Sequence, residues 1–294
     1  MSHPEVSVLM SVYNGEPYLR EAIDSILNQT FQDFEFVVVD DGSTDSSPQI
    51  IHSYKDPRIK LIRNETNIGL SRSLNRGIDL CRGKYIARMD SDDISLPARL
   101  GIQIEHARKR TATVLGSWVI DIDQNGKHMG VSKKPTSDIQ IKAAMFFFNP
   151  LIHSSVMIDA NILKSAKYNE RFRYSQDYEL WIRMKDEMTF KNIACKLIKF
   201  RWHSNQVSES KKKEQRNCHD QIKSIFVKSV IGDHEFIPDF VEFTKLNVVN
   251  TERLFRSLSI IALIIRRTKK TQLRYHLIRI LKDYILRLVR GTVL

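Results

Sequence analysis

Three features are scarce in this 294-residue chain. Cysteine occurs only at Cys81, Cys195 and Cys218, with no close pair and no Cys/His spacing suited to zinc. That excludes a disulfide scaffold and a structural zinc module, and makes a reducing, cytoplasmic setting the expectation. Long apolar runs are also missing. The most apolar stretch, Leu258 to Ile265, is eight residues long, whereas a spanning helix needs about 20. The N-terminus has no basic region leading into an apolar core, so Val6 to Val12 reads as a strand and not as a signal peptide. The third scarcity is chemical. Neither GxGxxG nor GxxxxGK[ST] occurs, so a bound nucleotide would have to be held by side chains and metal rather than by a glycine cradle.

What is present is an ordinary globular composition, 42% hydrophobic and 27% charged, with 46 Lys+Arg against 34 Asp+Glu and a formal charge of +12. Such basicity points to an anionic partner, but it is not spread evenly. Residues 251–294 hold eleven Lys and Arg against Glu252 and Asp283, a charge of +9, so the preceding 250 residues are close to balance.

Hydrophobic periodicity predicts strands at Val6–Val12, Phe34–Val39, Ile59–Ile62 and Lys84–Arg88. Helices are predicted between them at Tyr18–Leu27, Ser46–Tyr54 (capped by Asp45 or Ser43) and Leu70–Leu80. This alternation defines an α/β chain with a mostly parallel sheet. Farther on, a helix is expected from Leu96–Pro97 to Arg110, strands at Val114–Ile122 and Ile152–Ile158, a turn at Gln124–Gly126, a helix over Asp177–Glu187 and an extended Phe190–Trp202. The polar run Ser208–Gln221 marks a boundary, and no internal repeat is visible.

Polar clusters follow three of the strands: Tyr13-Asn14-Gly15, Asp40-Asp41-Gly42-Ser43 and Asp90-Ser91-Asp92-Asp93. A parallel sheet brings all three to its carboxyl edge, where open α/β sheets bind ligands. A single aspartate there is usually a cap or turn former. Five carboxylates on one edge repel unless donors or a cation offset them, and a hard divalent ion shared with a diphosphate would do so.

The segments VSVLMSVYNGEPYLREAIDSILNQTFQDFEFVVVDDGSTDSS, NIGLSRSLNRGI and GKYIARMDSDDISLPARL, in this order and spacing over about residues 5–205, resemble the family 2 glycosyltransferases, inverting enzymes of GT-A fold. The resemblance implies a Rossmann-like GT-A domain at 1–210; beyond it, the polar run and the charge and apolar spacing are read as a helical linker at 211–250 and a basic amphipathic helical tail at 251–294. The resemblance also implies roles. Tyr13 packs on the donor base and Asp40 hydrogen-bonds it, while Asp41 lies near the ribose or supports its loop. Asp90-Ser91-Asp92 matches the DxD motif, with Asp90 and Ser91 on the nucleoside side and Asp92 on Mg²⁺ or Mn²⁺. Asp93 either extends that motif or caps the next helix. Relatives often carry arginine where this chain has Leu74, so an arginine reaching the donor would come from Arg72, Arg76 or Arg88. Asp177, in YSQDYELW, matches the segment of the catalytic base and would take the acceptor proton; its structural alternative is an N-cap. Glu179 is the weaker candidate. His203 matches a late histidine near metal or diphosphate, His153 one facing the acceptor, and Trp181 belongs to the core or the acceptor wall.

In the tail, Leu273, Leu277, Ile280, Leu281, Tyr284 and Leu288 recur at helical spacing among cations. That pattern suits an anionic membrane surface or packing on the catalytic domain or a second subunit. No recognised nucleic-acid module accompanies the charge. The expectation is therefore transfer of a sugar from a nucleotide diphosphate, most simply a UDP-sugar, to a glycan or lipid-linked acceptor in cell-surface polysaccharide synthesis, by a cytoplasmic protein peripheral to the inner membrane. The alternative is a non-catalytic sugar-nucleotide-binding or assembly protein on the same fold.

Overall fold

The structure, a computed structural model, describes residues 3–206, 210–245, 251–268 and 271–290, with side chains throughout except at 251–255 and 283–290. It divides into two compact units, one made of Met1–Thr136 and Leu151–Lys211, the other of Ser137–Pro150 and Lys212–Leu294.

The first unit holds a nine-stranded sheet. In chain order it comprises β1 (Val6–Val12), α1 (Glu16–Leu27), β2 (Phe34–Asp40), α2 (Ser47–Ser53), β3 (Ile59–Arg63), α3 (Leu70–Leu80), β4 (Tyr85–Asp90), β5 (Ile94–Ser95), α4 (Arg99–Arg108), β6 (Val114–Ile122) and β7 (His128–Ser132). The second unit contributes α5 (Asp138–Ala144); the chain then returns to the first for a 3₁₀ turn (His153–Ser155), β8 (Met157–Asp159), α6 (Ala160–Ala166), α7 (Gln176–Arg183) and β9 (Phe190–Arg201). The strand order is β3-β2-β1-β4-β8-β6-β9-β5, with β7 against β6. The β3-β2-β1-β4 half is parallel. β8 runs antiparallel between β4 and β6.

β1 and β2 are buried at every position, Ser7, Ser11, Glu35 and Asp40 included, as parallel strands covered on both faces are. Leu19, Ala22, Ile23 and Ile26 of α1 pack on one face together with Leu100 and Ile104 of α4. The chain moves outward from β1 through β2 to β3 and then resumes at β4, on the other side of β1. This reversal makes the carboxyl ends of β1 and β4 the switch point of the sheet, the position where such sheets bind ligands.

Several local expectations need correction. Ile152–Ile158 is not one strand. His153–Ser155 turns as a 3₁₀ helix, and only Met157–Asp159 pairs in the sheet. α4 starts at Arg99, after the short strand β5, and α7 stops at Arg183. The capping position of α2 is Ser46; Ser43 is engaged with Asn14, while Asp45 accepts from the Ser47 amide at 2.9 Å.

The second unit adds α8 (Lys212–Ile231), α9 (Ile237–Phe243), α10 (Thr251–Arg267) and α11 (Thr271–Arg290). Its core stacks Phe146 on Phe226 and sets Phe147 edge-on to Phe240. α11 packs on α5, and Leu277 of the apolar stripe is 1% exposed. The stripe residues Tyr284 and Leu288, like Ser208, Lys269 and Lys270, lie outside the described side chains and residues. Among the described residues no helix is long and apolar enough to cross a membrane.

Candidate active site

The loop after β1 is knotted to the loop after β2. Asn14, in left-handed backbone (φ 52°), accepts at Oδ1 from the Thr44 amide (2.9 Å), and its own amide donates to Ser43 Oγ (3.0 Å). The Gly15 amide donates to Ser47 Oγ at 2.9 Å. A Cβ on Gly15 would lie 2.7 Å from Val12 Cγ2 and 3.3 Å from Ser91 Oγ. Glycine thus lets the loops after β1 and β4 close on each other. Tyr13 stands at the mouth, 49% exposed.

The paired aspartates after β2 are taken up by the chain itself. Asp40 is fully buried; its Oδ1 accepts from the Ser43 amide (3.0 Å), and its Oδ2 lies 3.1 Å from Arg63 Nε. Asp41 accepts from Asn64 Nδ2 (2.8 Å) and the Ile68 amide (2.9 Å) at Oδ1, and from the Gly69 amide (2.9 Å) at Oδ2. Of its two expected roles, the structure displays the loop support. Gly42 (φ 72°) brings this turn so close to the main chain of Thr66 and Asn67 that a Cβ would sit 2.6 Å from the Thr66 carbonyl carbon.

The aspartates after β4 are arranged differently. Oxygens of Asp90, Asp92 and Asp93 lie within 4.8 Å of one another. Asp90 pairs with the buried Arg88, and Asp92 Oδ2 lies 2.9 Å from His203 Nε2. Both carboxylates stay partly open, 31% and 29% exposed. Asp93 does not cap α4. Its Oδ1 accepts the Arg201 amide (2.8 Å), which pins the end of β9. Its Oδ2 is buried without a donor, the nearby Ser154 hydroxyl being out of hydrogen-bond geometry. Burial, reinforced by the charges of Asp92 and Asp90, pushes Asp93 well above the usual carboxylate range. Burial also raises Asp90; Arg88 opposes the shift and Asp92 adds to it.

Behind this cluster stand residues that sequence reading did not single out. Arg201 donates from Nε to the Asp92 carbonyl (2.9 Å), pairs with Glu21, and lies 4.5 Å over the Tyr18 ring. Tyr18 in turn packs on His203 at 4.9 Å. Arg99, fully buried, hydrogen-bonds the Arg88 carbonyl, and burial lowers it to about 9. No local pattern announces them: Arg99 opens α4 and Arg201 closes β9, in segments that read as an ordinary helix and strand.

Asp177 is the second residue of α7, behind Ser175 in left-handed backbone (φ 64°). Its charge and that of Asp90 both act on the buried Tyr168 hydroxyl. Burial is the main cause of that hydroxyl's raised pKa, Arg88 opposes it, and the two carboxylates add to it. Tyr168 Oη lies 2.7 Å from His153 Nε2, and burial with the Arg88 charge keeps His153 neutral. Glu179 is committed to Arg183 at 2.8 Å. Trp181 is core, with no exposed surface.

Leu74 is also core. Of the three arginines weighed in its place, Arg88 is at Asp90. Arg76 hydrogen-bonds Asn64, and Arg72 pairs with Glu170 at 3.1 Å. Arg72 also lines a groove of about 210 Å³ with Asn67, Gly69 and Arg173.

A strand order that switches between β1 and β4, with acids gathered at that switch, is an α/β arrangement of the GT-A kind, in which such a switch is a ligand-binding position. Residues 7–203 match the model of glycosyl transferase family 2, and the chain belongs to that family. It is 40% identical over 223 residues to an uncharacterised glycosyltransferase of Methanocaldococcus jannaschii, covering 74% of this chain and 77% of that one. It is 34% identical over 213 residues to the O-antigen biosynthesis glycosyltransferase WbnJ of Escherichia coli, covering 70% and 82%. Among solved structures, S. aureus TarS 1-349 in complex with UDP-GlcNAc shares the fold with a TM-score of 0.65 at 18% identity, covering 98% of this chain and 92% of that one.

Proposed function

We propose that the chain is an inverting, metal-assisted transferase that moves a sugar from a UDP-sugar to a glycan or lipid-linked acceptor in cell-surface polysaccharide synthesis. The observation that carries this reading is the convergence of Asp90, Asp92 and Asp93 at the end of β4, beside the β1/β4 switch point, with His203 behind Asp92. UDP is favoured by the nucleotide bound to the TarS neighbour, and a polysaccharide product by the O-antigen relative.

The residues fit a divalent ion. Hard oxygen donors and one imidazole suit Mg²⁺ or Mn²⁺, and the three carboxylates crowded within 4.8 Å, with Asp93 Oδ2 outside any hydrogen bond, make a repulsion that a bound cation would relieve. Asp92 and His203 would hold the ion, which would supply electrostatic stabilisation of the departing diphosphate. Tyr13 would cover the base, with Asp40, Asp41 and Arg72 shaping the nucleoside side and Asp90 and Ser91 closing it. Asp177 would accept the proton of the acceptor hydroxyl as its oxygen bonds to the anomeric carbon, the sugar–phosphate bond breaking on the opposite face.

The test is a screen of nucleotide sugars with MnCl₂ for acceptor-dependent release of UDP or GDP, run on the wild type and on Asp177→Asn. The expected result is UDP release by the wild type and a loss of about 100-fold or more in the variant, with UDP binding retained. Full turnover by Asp177→Asn would remove the base assignment, and GDP release would replace the donor.

The tail reading is narrowed by α11. With Leu277 packed inside the helical unit, the face left for an anionic membrane carries Tyr275 (62% exposed), Ile278 (41%), Arg279 and Lys282. Flotation with anionic vesicles should be reduced by Arg279→Glu/Lys282→Glu and be absent with neutral vesicles. Equal flotation of both proteins would end the proposal.

A further inference from the structure

One side of α3 is fastened to the chain that leads to Asp177. Ser71 Oγ donates to the Phe172 carbonyl at 3.2 Å, and Arg72 Nε meets Glu170 Oε2 at 3.1 Å. Asn75 grips the main chain of Tyr168 at both polar groups. Its Oδ1 accepts the Tyr168 amide (2.8 Å), and its Nδ2 donates to the Tyr168 carbonyl (2.9 Å) and to Glu170 Oε1 (3.1 Å). A turn farther on, Lys167 Nζ donates to the Asn75 carbonyl (3.1 Å) and pairs with Asp79. Positions 71, 72, 75 and 79 share a helix face. They meet 172, 170, 168 and 167 in reverse order, as a zipper.

The arm so held begins and ends in strained backbone. Lys167 (φ 50°) and Ser175 (φ 64°) are left-handed without being glycine. Such conformations cost of order 1 kcal/mol or more and persist where the surroundings over-determine them. The arm is also closed on itself, since Arg183 of α7 donates to the carbonyls of Ala166 (3.1 Å) and Lys167 (2.7 Å). At its other end α3 starts at the turn clamped by Asp41 through the Ile68 and Gly69 amides. Asn64 bonds both Asp41 and Ser73. A continuous set of contacts therefore runs from the loop after β2, through α3, to the segment that presents Asp177.

We propose that α3 is the bracket that positions the base, with Asn75 as its principal positioning residue and the Arg72–Glu170 pair as its support. This rests on reading Asp177 as the base. The bracket ties base placement to the donor-side loop, so a donor-side loop in its proper conformation and a base in register occur together. Asn75 acts through the backbone it holds, its side-chain amide being taken up by Tyr168 and Glu170.

The experiment uses the full chain and Asn75→Ala, Arg72→Ala and Glu170→Ala, each alone and with Asp177→Asn. UDP with MnCl₂ serves as the binding probe, the donor and acceptor from the screen serve for turnover, and hydrogen exchange is followed on the UDP–Mn²⁺-loaded protein. For Asn75→Ala, kcat should fall about 10- to 100-fold, the range set by displacing a reacting group by an ångström or less. UDP affinity should stay within about twofold, and amides of 168–177 should exchange at least about tenfold faster while those of β1 and β4 do not. Arg72→Ala and Glu170→Ala should each cost about two- to fivefold, and the pair together no more than either alone. Glu170→Ala, at a half-exposed position outside the donor side, carries the same test of UDP affinity and exchange should Asn75→Ala not fold. In the Asp177→Asn background, Asn75→Ala should add no further loss of turnover. Unchanged exchange over 168–177, or loss of UDP affinity in step with kcat, would overturn the bracket. Full turnover by Asp177→Asn would instead remove the base assignment, with the exchange comparison still deciding whether α3 holds the arm.

Discussion

Two aspartate clusters of similar appearance close adjacent parts of the same sheet edge, and the chain treats them in opposite ways. After β2, Asp41 receives three donors from the protein, and Asp40 is buried between the Ser43 amide and Arg63. After β4, three carboxylates are pressed together, one oxygen of Asp93 has no donor, and the balance is left to Arg88 and His203. The first cluster shapes backbone; the second holds charge in reserve. Composition cannot separate them, because both read as acids after an apolar strand. What separates them is the charge each buried oxygen faces: neither Asp40 Oδ2 nor Asp93 Oδ2 makes a hydrogen bond, but the first lies against Arg63 and the second is crowded by Asp90 and Asp92, an arrangement that is costly unless a ligand supplies the missing charge.

The largest expected effect tests the reserve. Asp92→Ala should lower transfer by about 100-fold or more, the scale seen when one preorganised electrostatic group is lost. Its melting temperature without ligand should hold or rise, since a repelling neighbour is gone. MnCl₂ with UDP should raise the melting temperature of the wild type and not that of the variant. Wild-type turnover by Asp92→Ala would make the two clusters alike, both structural. Next comes Asp41→Ala, which strands the Ile68 and Gly69 amides and the Asn64 side chain and should cost about 2–4 kcal/mol in denaturant unfolding. A cost below about 1 kcal/mol would show that those donors find water instead.

The first half of the sheet was legible because its signals are local. β1, α3 and β6 have their predicted bounds, each an apolar run or helical stripe ending at turn residues. The placing of Asp90 at the end of the fourth strand and of Asp177 at the start of a helix also matches the structure. Less legible was everything built across distance. Arg201 meets Asp92 over 109 residues of sequence and Asn75 meets Tyr168 over 93, and no pattern within one element announces such a pairing. The 3₁₀ turn at His153–Ser155 was hidden for a related reason. Its apolar neighbours alternate like a strand, yet Ser155 Oγ and Gln103 engage the local carbonyls that a sheet ladder would have used. The apolar tail stripe was correctly periodic, but periodicity does not say whether its cover is lipid or, as at Leu277, protein.

The smallest effect sharpens the comparison at the opposite edge of the sheet, where Glu35 is a buried carboxylate fully supplied with donors. Lys60 Nζ, Ser7 Oγ and the Arg82 amide and Nε all converge on it. Burial pushes Glu35 up, but the hydrogen bonds from Lys60, Ser7 and Arg82 outweigh it and bring the pKa down to about 2. Asp93, buried with one oxygen unsupplied, moves the other way. Because the folded-state pKa of Glu35 is depressed, its contribution is fully present above the ordinary value of 4.5 and is lost as pH falls toward 2. With Lys60 and Arg82 partly exposed to solvent, screening reduces that contribution to about 2 kcal/mol. Glu35→Gln should therefore unfold more easily at pH 7 by about that amount and show a flatter stability profile between pH 4.5 and 2. Urea unfolding across that range checks it. Parallel profiles for wild type and variant would mean that donors do not set the fate of buried acids in this sheet, and the contrast between the two aspartate clusters would lose its physical basis.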